Sequence, residues 1–338
     1  MQTIILEQPG QFLLTSTDAP AALAAGEALV RVARVGICGT DIHAFHGRQP
    51  FFSYPRILGH ELGVEVVALA PDVQGLSIGA HCAVEPYLNC GTCIACRRDR
   101  PNCCVNLRVL GVHSDGGMRE YITLPAAKLH PSERLSFEQL ALVETLGIGA
   151  HAVDRAQLSD GETVLVIGAG PIGLAVMQFA RLAGARVIGL DISEQRLTFA
   201  RSQGTVDETV IGGSDALAQV ESLTNGDLPT AVFDATGSPA SMMQAFQYVA
   251  HSGRLVYVSL VQGDITFSDP AFHRREITLL ATRNATAGDF RRIIGWIEAG
   301  AIDTTPWITH RATSGDFVEQ FPNWLRPDSG LVKGMLVL

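Results

Sequence analysis

Four cysteines in the order Cys90-x-x-Cys93-x-x-Cys96-x7-Cys104 are the residues in this chain best spaced for chemistry. Thiolates one short turn apart, with a fourth from the end of a small loop, can surround one tetrahedral zinc ion. Gly91 and Thr92 fill the first gap, and the basic stretch Arg97-Arg98-Asp99-Arg100-Pro101-Asn102 precedes the last ligand. Those arginines can offset the charge of a four-thiolate site. A disulfide cluster or free buried thiols is the competing reading, and the spacing argues against it. Cys103 is read as a non-ligand. Four thiolates close the coordination sphere, so this zinc would be structural and the reaction chemistry must lie elsewhere.

Two further clusters carry ligand types. One is Gly36-Ile-Cys38-Gly-Thr40-Asp41-Ile-His43 and the other is Gly59-His60-Glu61. With Glu144 they offer one thiolate, one imidazole and one or two carboxylates. Such an incomplete shell leaves a position open for water or substrate, as a catalytic zinc requires. Each fragment alone has a plainer reading: a small core cysteine, or a hydrogen-bonded structural histidine.

A third motif is the run Thr163–Ile167 followed by Gly168-Ala-Gly170-Pro171-Ile172-Gly173. A strand entering a glycine turn and then a helix is a dinucleotide fingerprint. Gly168 permits the turn, Gly170 lets a pyrophosphate approach the backbone, and Gly173 lets helix and strand pack closely. The pyrophosphate would sit on the helix N-terminus. Asp191 lies 18 residues past Gly173 and can accept hydrogen bonds from the adenosine ribose, which favours NAD over NADP. Arg196 would stack on adenine or lie on the surface. Thr236, Val258 and Ser259 fall at ends of later strands, where cofactors bind in open α/β sheets.

Taken together and in this order, GICGTDIH, GHE, the four-cysteine lobe, ETLGIGAHAV and GAGPIG resemble the zinc-dependent medium-chain alcohol and polyol dehydrogenases. The resemblance covers essentially the whole chain. It implies Cys38 and His60 as catalytic zinc ligands. Glu144 stands where ethanol-type members have cysteine and polyol-type members have glutamate. Glu61 is the acid beside the histidine. Which of Glu61 and Glu144 binds at rest stays open. The family's GHE-x-x-G glycine is Val64 here, with Gly63 one residue earlier, a local difference in the strand. The resemblance further implies two zinc ions per chain and NAD. The proton of the substrate hydroxyl would leave through Thr40, the nicotinamide ribose and His43, while hydride passes to the nicotinamide. It also implies a homodimer or homotetramer, with a Rossmann edge strand near Val258–Phe267 as the contact.

Several stretches look like bacterial sugar-acid dehydrogenases that oxidise L-galactonate or L-gulonate at C5. These include residues 49–55, 102–104, 111–117, 267–270 and 282–286. A hexonate carries a carboxylate and hydroxyls, which want a guanidinium and polar donors. Arg283, Asn284, His113 and Arg48 are the candidates, with Arg283 and Asn284 also expected near the nicotinamide. Phe51 and Phe52 would wall the pocket or join the core. A polyol or L-threonine dehydrogenase is the enzyme alternative. An inactive NAD-binding regulatory protein is the alternative outside enzymes, and the intact ligand and relay residues argue against it.

The elements needed to position these residues are legible in outline. The first 140 residues read as short alternating strands, such as 28–33 and 64–69. A helix over 137–158 carries Glu144. Strands are expected at 163–167, 186–190, 209–211, 231–234, 254–259 and 277–281. Helices are expected at 171–183, 193–202, 215–223 and 240–250, and another at 290–299. This pattern predicts an α/β protein: a GroES-like, mostly-β catalytic domain plus a doubly wound parallel-sheet (Rossmann) coenzyme domain. The expected boundaries are 1–146 and 285–338 for the zinc-binding domain, its structural lobe at 88–106, and 147–284 for the NAD-binding domain.

The bulk numbers agree with that outline. The 338 residues are 47% hydrophobic and 17% charged, as in an ordinary globular protein, and the 34 glycines suit many tight turns. A net charge of -9 argues against a nucleic-acid partner or an anionic membrane. The run 164–190 is broken by Gly168–Pro171 and by Arg181 and Arg186, so no span is expected. The first residues lack a basic and apolar leader, so a cytoplasmic, reducing setting is expected.

Overall fold

The computed structural model describes every residue except Ala21, Pro50 and Phe51. The chain divides into two compact units, Met1–Thr145 with Ala285–Leu338, and Leu146–Asn284. The division falls within one continuous helix, Phe137–Ala156.

The first unit is a GroES-like, mostly-β unit built on the long strand Glu27–Ile37. Its sequence alternates, and Ala28, Val30 and Val32 are buried while Glu27, Leu29 and Arg31 between them are half-buried. Alternation places one face on the core. It pairs antiparallel with Glu61–Leu69, with Tyr121–Pro125 and with Lys333–Val337. The strand Ile308–Thr313 extends the sheet beside Lys333–Val337, and His81–Val84 and Leu129–Pro131 extend it on the other side. The residues after 285 therefore complete the sheet begun by the first 145.

A register shift between Val32 and Arg34, opposite Val64 and Gly63, marks a bulge. Bulges bend a strand and redirect the side chains beyond it. Past this one, Val35, Gly36 and Ile37 are all buried and lead into Cys38. Gly63 is explained at the same place: a Cβ there would lie 2.0 Å from the Phe137 carbonyl oxygen. The shifted glycine of the sequence marks where the strand passes under the start of the long helix.

A short helix, Gly39–Phe45, stands among the strands of this mostly-β region. Asp41 creates it locally, since its carboxylate oxygen accepts the Cys38 N–H at 2.9 Å and satisfies an N-terminal donor. Phe45, at the other end, packs on Phe12 and Phe321 at ring centroid distances of 5.4 and 5.0 Å. Phe12 comes from the N-terminal hairpin, and Phe321 from a helix Ser314–Trp324 that the sequence pattern did not reveal. Such ring pairs add about 0.5–1.5 kcal/mol each beyond area burial. They pin the helix that carries Thr40, Asp41 and His43.

The second unit is a six-stranded parallel Rossmann sheet. In chain order its strands are Thr163–Ile167, Arg186–Asp191, Glu208–Ile211, Ala231–Asp234, Arg254–Tyr257 and Thr278–Ala281. Their spatial order is 3-2-1-4-5-6. Leu165, Ile188, Val232 and Leu255 are fully buried in its core. Strands buried on both faces read as unbroken apolar runs, which is why the central four- to six-residue segments are visible in the sequence. The order reverses between Thr163–Ile167 and Ala231–Asp234. Ligands of such sheets bind at that switch point, and the glycine turn begins there.

Two local expectations are corrected. The expected helix 240–250 is a helix Pro239–Gln244 followed by a tighter 3-10 turn, Ala245–Tyr248. Arg275 accounts for the change, donating to the carbonyls of Gln247 and Val249 and drawing them out of helical pairing. The expected edge strand at Val258–Phe267 does not exist. The strand stops at Tyr257, and Gly263 at φ 107° breaks extension beyond it. A helix Asp269–Arg275, started by Pro270, then leads to the true edge strand, Thr278–Ala281. Among the described residues no helix is long and apolar enough to cross a membrane.

The turn after Ile167 leaves no room at one position. A Cβ on Gly173 would lie 1.7 Å from the Gly168 carbonyl oxygen. Gly173→Ala is therefore expected to cost about 1–3 kcal/mol of unfolding free energy through overpacking. Thermal and denaturant unfolding check this, and an unchanged midpoint would contradict it.

Candidate metal centre and coenzyme cradle

Cys38 ends the strand Glu27–Ile37 as the residue before the short helix, and His60 and Glu61 begin the next strand. Gly36 faces Glu61 across the pair. The metal-ligating atoms of Cys38, His60 and Glu61 lie within 4.8 Å of one another. Gly36 is necessary to this geometry, because a Cβ there would lie 2.2 Å from a Glu61 carboxylate oxygen. Glu144 lies outside that triad, on the long helix, and takes a hydrogen bond from the Tyr87 hydroxyl on Oε1.

The surroundings are polar but dry. His60, Glu61, Glu144 and Asp41 are all at most 5% exposed. Lys333, 2% exposed, donates to both Glu61 oxygens at 2.5 and 2.6 Å and to the Ile37 carbonyl at 3.2 Å. Burial alone would pull its ammonium down, but Glu61 and Cys38 outweigh this and hold its pKa above the usual lysine value. Burial likewise pulls His60 down, and the charges of Cys38 and Asp41 more than reverse it, well above the ordinary histidine range. Burial pushes the Glu144 carboxyl up, with the nearby His60 opposing. A field that favours an imidazolium favours any cation placed there.

The donor set fits zinc: one thiolate, one imidazole and a carboxylate, with room for a fourth group. His60 Nδ1 and Asp41 Oδ1 are buried without hydrogen-bond partners and face each other at 3.9 Å. A small closure would let the imidazole donate to Asp41, the usual arrangement when the other ring nitrogen holds a metal. Asp41 was not singled out for this role in the sequence. Thr40 and His43 sit three residues apart on the same helix, Thr40 half-buried and His43 exposed. Helical spacing puts them on one face.

The second cysteine group is also assembled. Its four sulfur atoms lie within 4.8 Å of one another, with Cys93–Cys96 and Cys90–Cys104 at 3.5 Å and Cys93–Cys104 at 3.8 Å. Tetrahedral zinc–sulfur bonds of about 2.3 Å require sulfur separations of roughly 3.8 Å. All seven cysteines are free. The backbone N–H groups of Cys90 and Val105 donate to Cys104 and Cys93 sulfurs, as suits thiolates. Hydrogen bonds from the Thr92 backbone and hydroxyl bring the Cys90 thiol down to about 5. Arg97 donates to the Thr92 carbonyl and not to a sulfur.

In the second unit Gly168 adopts φ 98°, and Gly170 faces open space where a Cβ would meet nothing within 4 Å. Pro171 starts the following helix, and Ile172 beside it is half-buried. The cradle fits a pyrophosphate. Asp191 ends its strand with Oδ2 accepting from Ala169 N at 2.7 Å and Oδ1 from Ser193 N at 2.8 Å. It therefore ties the glycine turn to the neighbouring strand, and each oxygen keeps a lone pair for a ribose hydroxyl. Arg196, 54% exposed, lies 4.0 Å from Asp191. Thr236 donates its hydroxyl to the fully buried Asp234, which also accepts from Ser241. Val258 N donates to the Asp234 carbonyl, and Ser259 is half-buried just beyond.

The remaining candidates are placed more loosely. Arg48 and Arg283 are exposed, and Asn284 takes the left-handed conformation at φ 55°. His113 Nδ1 accepts the Val109 N–H at 3.1 Å, which gives that ring a structural partner. Phe52 is half-buried beside Tyr54 at 6.1 Å, and Phe51 lies outside the described residues.

Two family models match the chain. One, the alcohol dehydrogenase GroES-like domain, matches residues 24–134, and the other, zinc-binding dehydrogenase, matches residues 171–299. An L-galactonate-5-dehydrogenase of Escherichia coli K12 is 38% identical, covering 99% of this chain and 98% of the relative. An L-arabinitol 4-dehydrogenase of Hypocrea jecorina is 32% identical, covering 92% of this chain and 85% of the relative. The crystal structure of rspB from Escherichia coli CFT073, complexed with NADH, superimposes with a TM-score of 0.93 at 29% identity. That similarity covers 100% of this chain and 99% of the other.

In the two-residue link between the strand His81–Val84 and Tyr87, Glu85 is 3% exposed and pairs with Lys128 and with His130, the latter at 3.1 Å. Burial pushes its carboxyl up, but His130 and Lys128 outweigh this and hold it below the ordinary 4.5. A folded pKa below the unfolded one stabilises fully above about pH 4.5, and the stabilisation is lost as pH falls through the folded value. Glu85→Gln should be less stable than the parent at neutral pH and should lose less stability between about pH 5 and about pH 3. Denaturant melts across that range check the slope; parallel curves would contradict the assignment.

Proposed function

The chain belongs to the zinc-type alcohol dehydrogenase family, and from that premise we propose that it oxidises a hexonate, of L-galactonate or L-gulonate type at C5, with NAD. It is an oxidoreductase of CH–OH donors. The observation that carries the reading is the buried group Cys38, His60 and Glu61, with Glu144 nearby on the long helix, in a family whose members bind zinc. Cys38 and His60 hold the metal with one of the two glutamates, and the four-cysteine lobe holds a second zinc. Zinc, when bound at the first site, supplies Lewis acidity toward an alcohol oxygen.

The chain's own groups then have separate tasks. Asp41 orients the His60 ring. With the coenzyme bound, Thr40 would accept the hydroxyl proton and the exposed His43 would pass it on to water. Gly168, Gly170, Pro171 and Ile172 receive the pyrophosphate with Gly173 letting the turn close behind them, Asp191 receives the adenosine ribose, and Arg196 flanks the adenine. Thr236, Val258 and Ser259 line the nicotinamide side. Arg283, Asn284, His113 and Arg48 are the polar groups we assign to the substrate, a guanidinium being the partner its carboxylate would want. The 38% identity to the L-galactonate-5-dehydrogenase supports the hexonate. A polyol substrate is the second reading, favoured by the likeness to the L-arabinitol enzyme. The exposed edge strand Thr278–Ala281 is the contact we assign to a second copy in a homodimer or homotetramer, since an unpaired edge invites pairing. Free thiols in a metal lobe fit a cytoplasmic setting.

NADH formation by the zinc-replete protein tests the reading, on L-galactonate, L-gulonate, L-arabinitol, sorbitol and L-threonine with NAD and NADP. Turnover mainly on a hexonate with NAD is expected; turnover on polyols or threonine with silent hexonates would contradict the substrate. Cys38→Ser should lower kcat at least about a thousandfold with circular dichroism unchanged, as for loss of a metal ligand. Asp191→Ala should raise the NADP to NAD ratio of kcat/KM at least about tenfold by removing the carboxylate that repels a 2′-phosphate.

A further inference from the structure

One buried carboxylate of the second unit is held by neutral donors. Asp234 ends the strand Ala231–Asp234 beside Ile167, the last residue before the glycine turn, and is fully buried. Its Oδ1 accepts the Thr236 N–H at 3.0 Å and the Thr236 hydroxyl at 2.7 Å, and its Oδ2 accepts the Ser241 hydroxyl at 2.6 Å. The Thr236 oxygen in turn accepts the Ser238 N–H at 3.1 Å. A threonine hydroxyl has a single proton, and here Asp234 takes it. The methyl is the part of the side chain left without a task inside the loop. Thr236 is exposed, and its methyl lies beside the glycine turn: a Cβ on Gly168 would lie 3.2 Å from Thr236 Cγ2 and 3.1 Å from the Ala235 carbonyl carbon. The next residue, Gly237, takes φ 67°, and a Cβ there would lie 3.9 Å from the Cβ of Ser259.

We propose that Asp234 is a positioning residue for the coenzyme: its carboxylate clamps residues 235–241 so that Thr236 turns its methyl, and not its hydroxyl, toward the nicotinamide half. The inference rests on the reading of the second unit as the coenzyme cradle. Three observations carry it. The first is place. Ala235 N donates to the Ile167 carbonyl at 2.8 Å, and Val258 N donates to the Asp234 carbonyl at 2.9 Å. The clamp therefore sits where the sheet order reverses and a ligand binds. Asp191 ties the turn to the strand on one side of Thr163–Ile167, the side assigned to the adenosine ribose. Asp234 stands on the strand at the other side, which leaves the nicotinamide half to it. The second is chemistry. A carboxylate only accepts, so every donor must point at it and the Thr236 hydroxyl is fixed in one direction. An amide in its place would also donate and would free that hydroxyl to turn outward. The third is cost. Burying a carboxylate is more costly than burying an amide, so closing a loop is by itself a poor reason for an acid here. A wall fixed beforehand has less freedom to lose when the coenzyme binds.

Calorimetric titration of the full chain with NADH and with ADP-ribose separates the two halves of the cradle, since ADP-ribose lacks the nicotinamide. Asp234→Asn should bind NADH at least about tenfold more weakly than the parent, the scale for losing hydrogen bonds to a charged group, and ADP-ribose within about twofold of it. Equal losses for both ligands would mean that Asp234 only supports the fold, and an unchanged NADH affinity would mean that the clamp is not used; either result overturns the inference. Asp234→Asn/Thr236→Val should bind NADH at least as tightly as Asp234→Asn, because no hydroxyl is left to turn toward the nicotinamide. Additive losses in that pair would contradict an effect that passes through Thr236. Thr236→Ser keeps the test decisive if Asp234→Asn does not fold. It retains the clamped hydroxyl and loses only the methyl, so NADH binding should weaken about fourfold, the worth of one buried methyl group, with ADP-ribose unchanged. Parent-like NADH binding by Thr236→Ser would overturn the methyl contact. A parent chain that binds neither ligand would overturn the coenzyme reading itself and the inference with it.

Discussion

An excess of buried acid at one corner of the first unit is the constraint on which much else depends. Cys38, Asp41, Glu61 and Glu144 converge there with His60 and a single lysine, and all but Cys38 are almost wholly shielded from water. Isolated buried charges cost several kcal/mol each unless paired. Lys333 answers one carboxylate and Tyr87 hydrogen-bonds another. The remainder keeps a negative field that raises His60 far above its ordinary range. Such a corner is tolerable in a protein that binds a divalent cation there, and it is costly in any other. The bulge after Val32, the Asp41 cap and the aromatic cluster around Phe12 and Phe45 all serve to bring these groups to one point.

A second theme is the use of missing side chains. Gly36 makes room for a carboxylate, Gly63 for the carbonyl of Phe137, and Gly173 for the carbonyl of Gly168. Gly170 is different, since nothing in the chain would meet its Cβ and the space is left for a ligand. The same residue type thus serves packing at three positions and binding at one. Asp191 joins the two uses, because it fixes the glycine turn through Ala169 while keeping lone pairs for a ribose.

Much of this was legible in the sequence, where local spacing alone carries the geometry. The four-cysteine lobe and the strand–glycine–helix turn are of that kind, and so are the short apolar runs of the parallel sheet. Their partners are within a few residues or within one βαβ unit. Lys333 was not found, because its partner Glu61 is 272 residues away and only the sheet brings them together. One signal was present: a lone lysine in the apolar run Leu331–Leu338, where a buried lysine must be paired. Asp41 gave a similar signal, three residues after Cys38 at a helix start. Tyr87, Glu85, Lys128 and His130 gave none, since their hydrogen bonds cross between elements. The edge strand was misplaced because Val258 and Leu260 suggest extension, whereas Gly263 and the Pro270 helix start end it.

A cation held by Cys38 and His60 is what the chemistry requires. The most direct measurement is zinc per chain, by elemental analysis, in the parent protein and in His60→Ala. The parent should hold close to two zinc ions and the variant close to one, the second site being the four-thiolate lobe. Equal zinc in both proteins, with the fold intact, would contradict it.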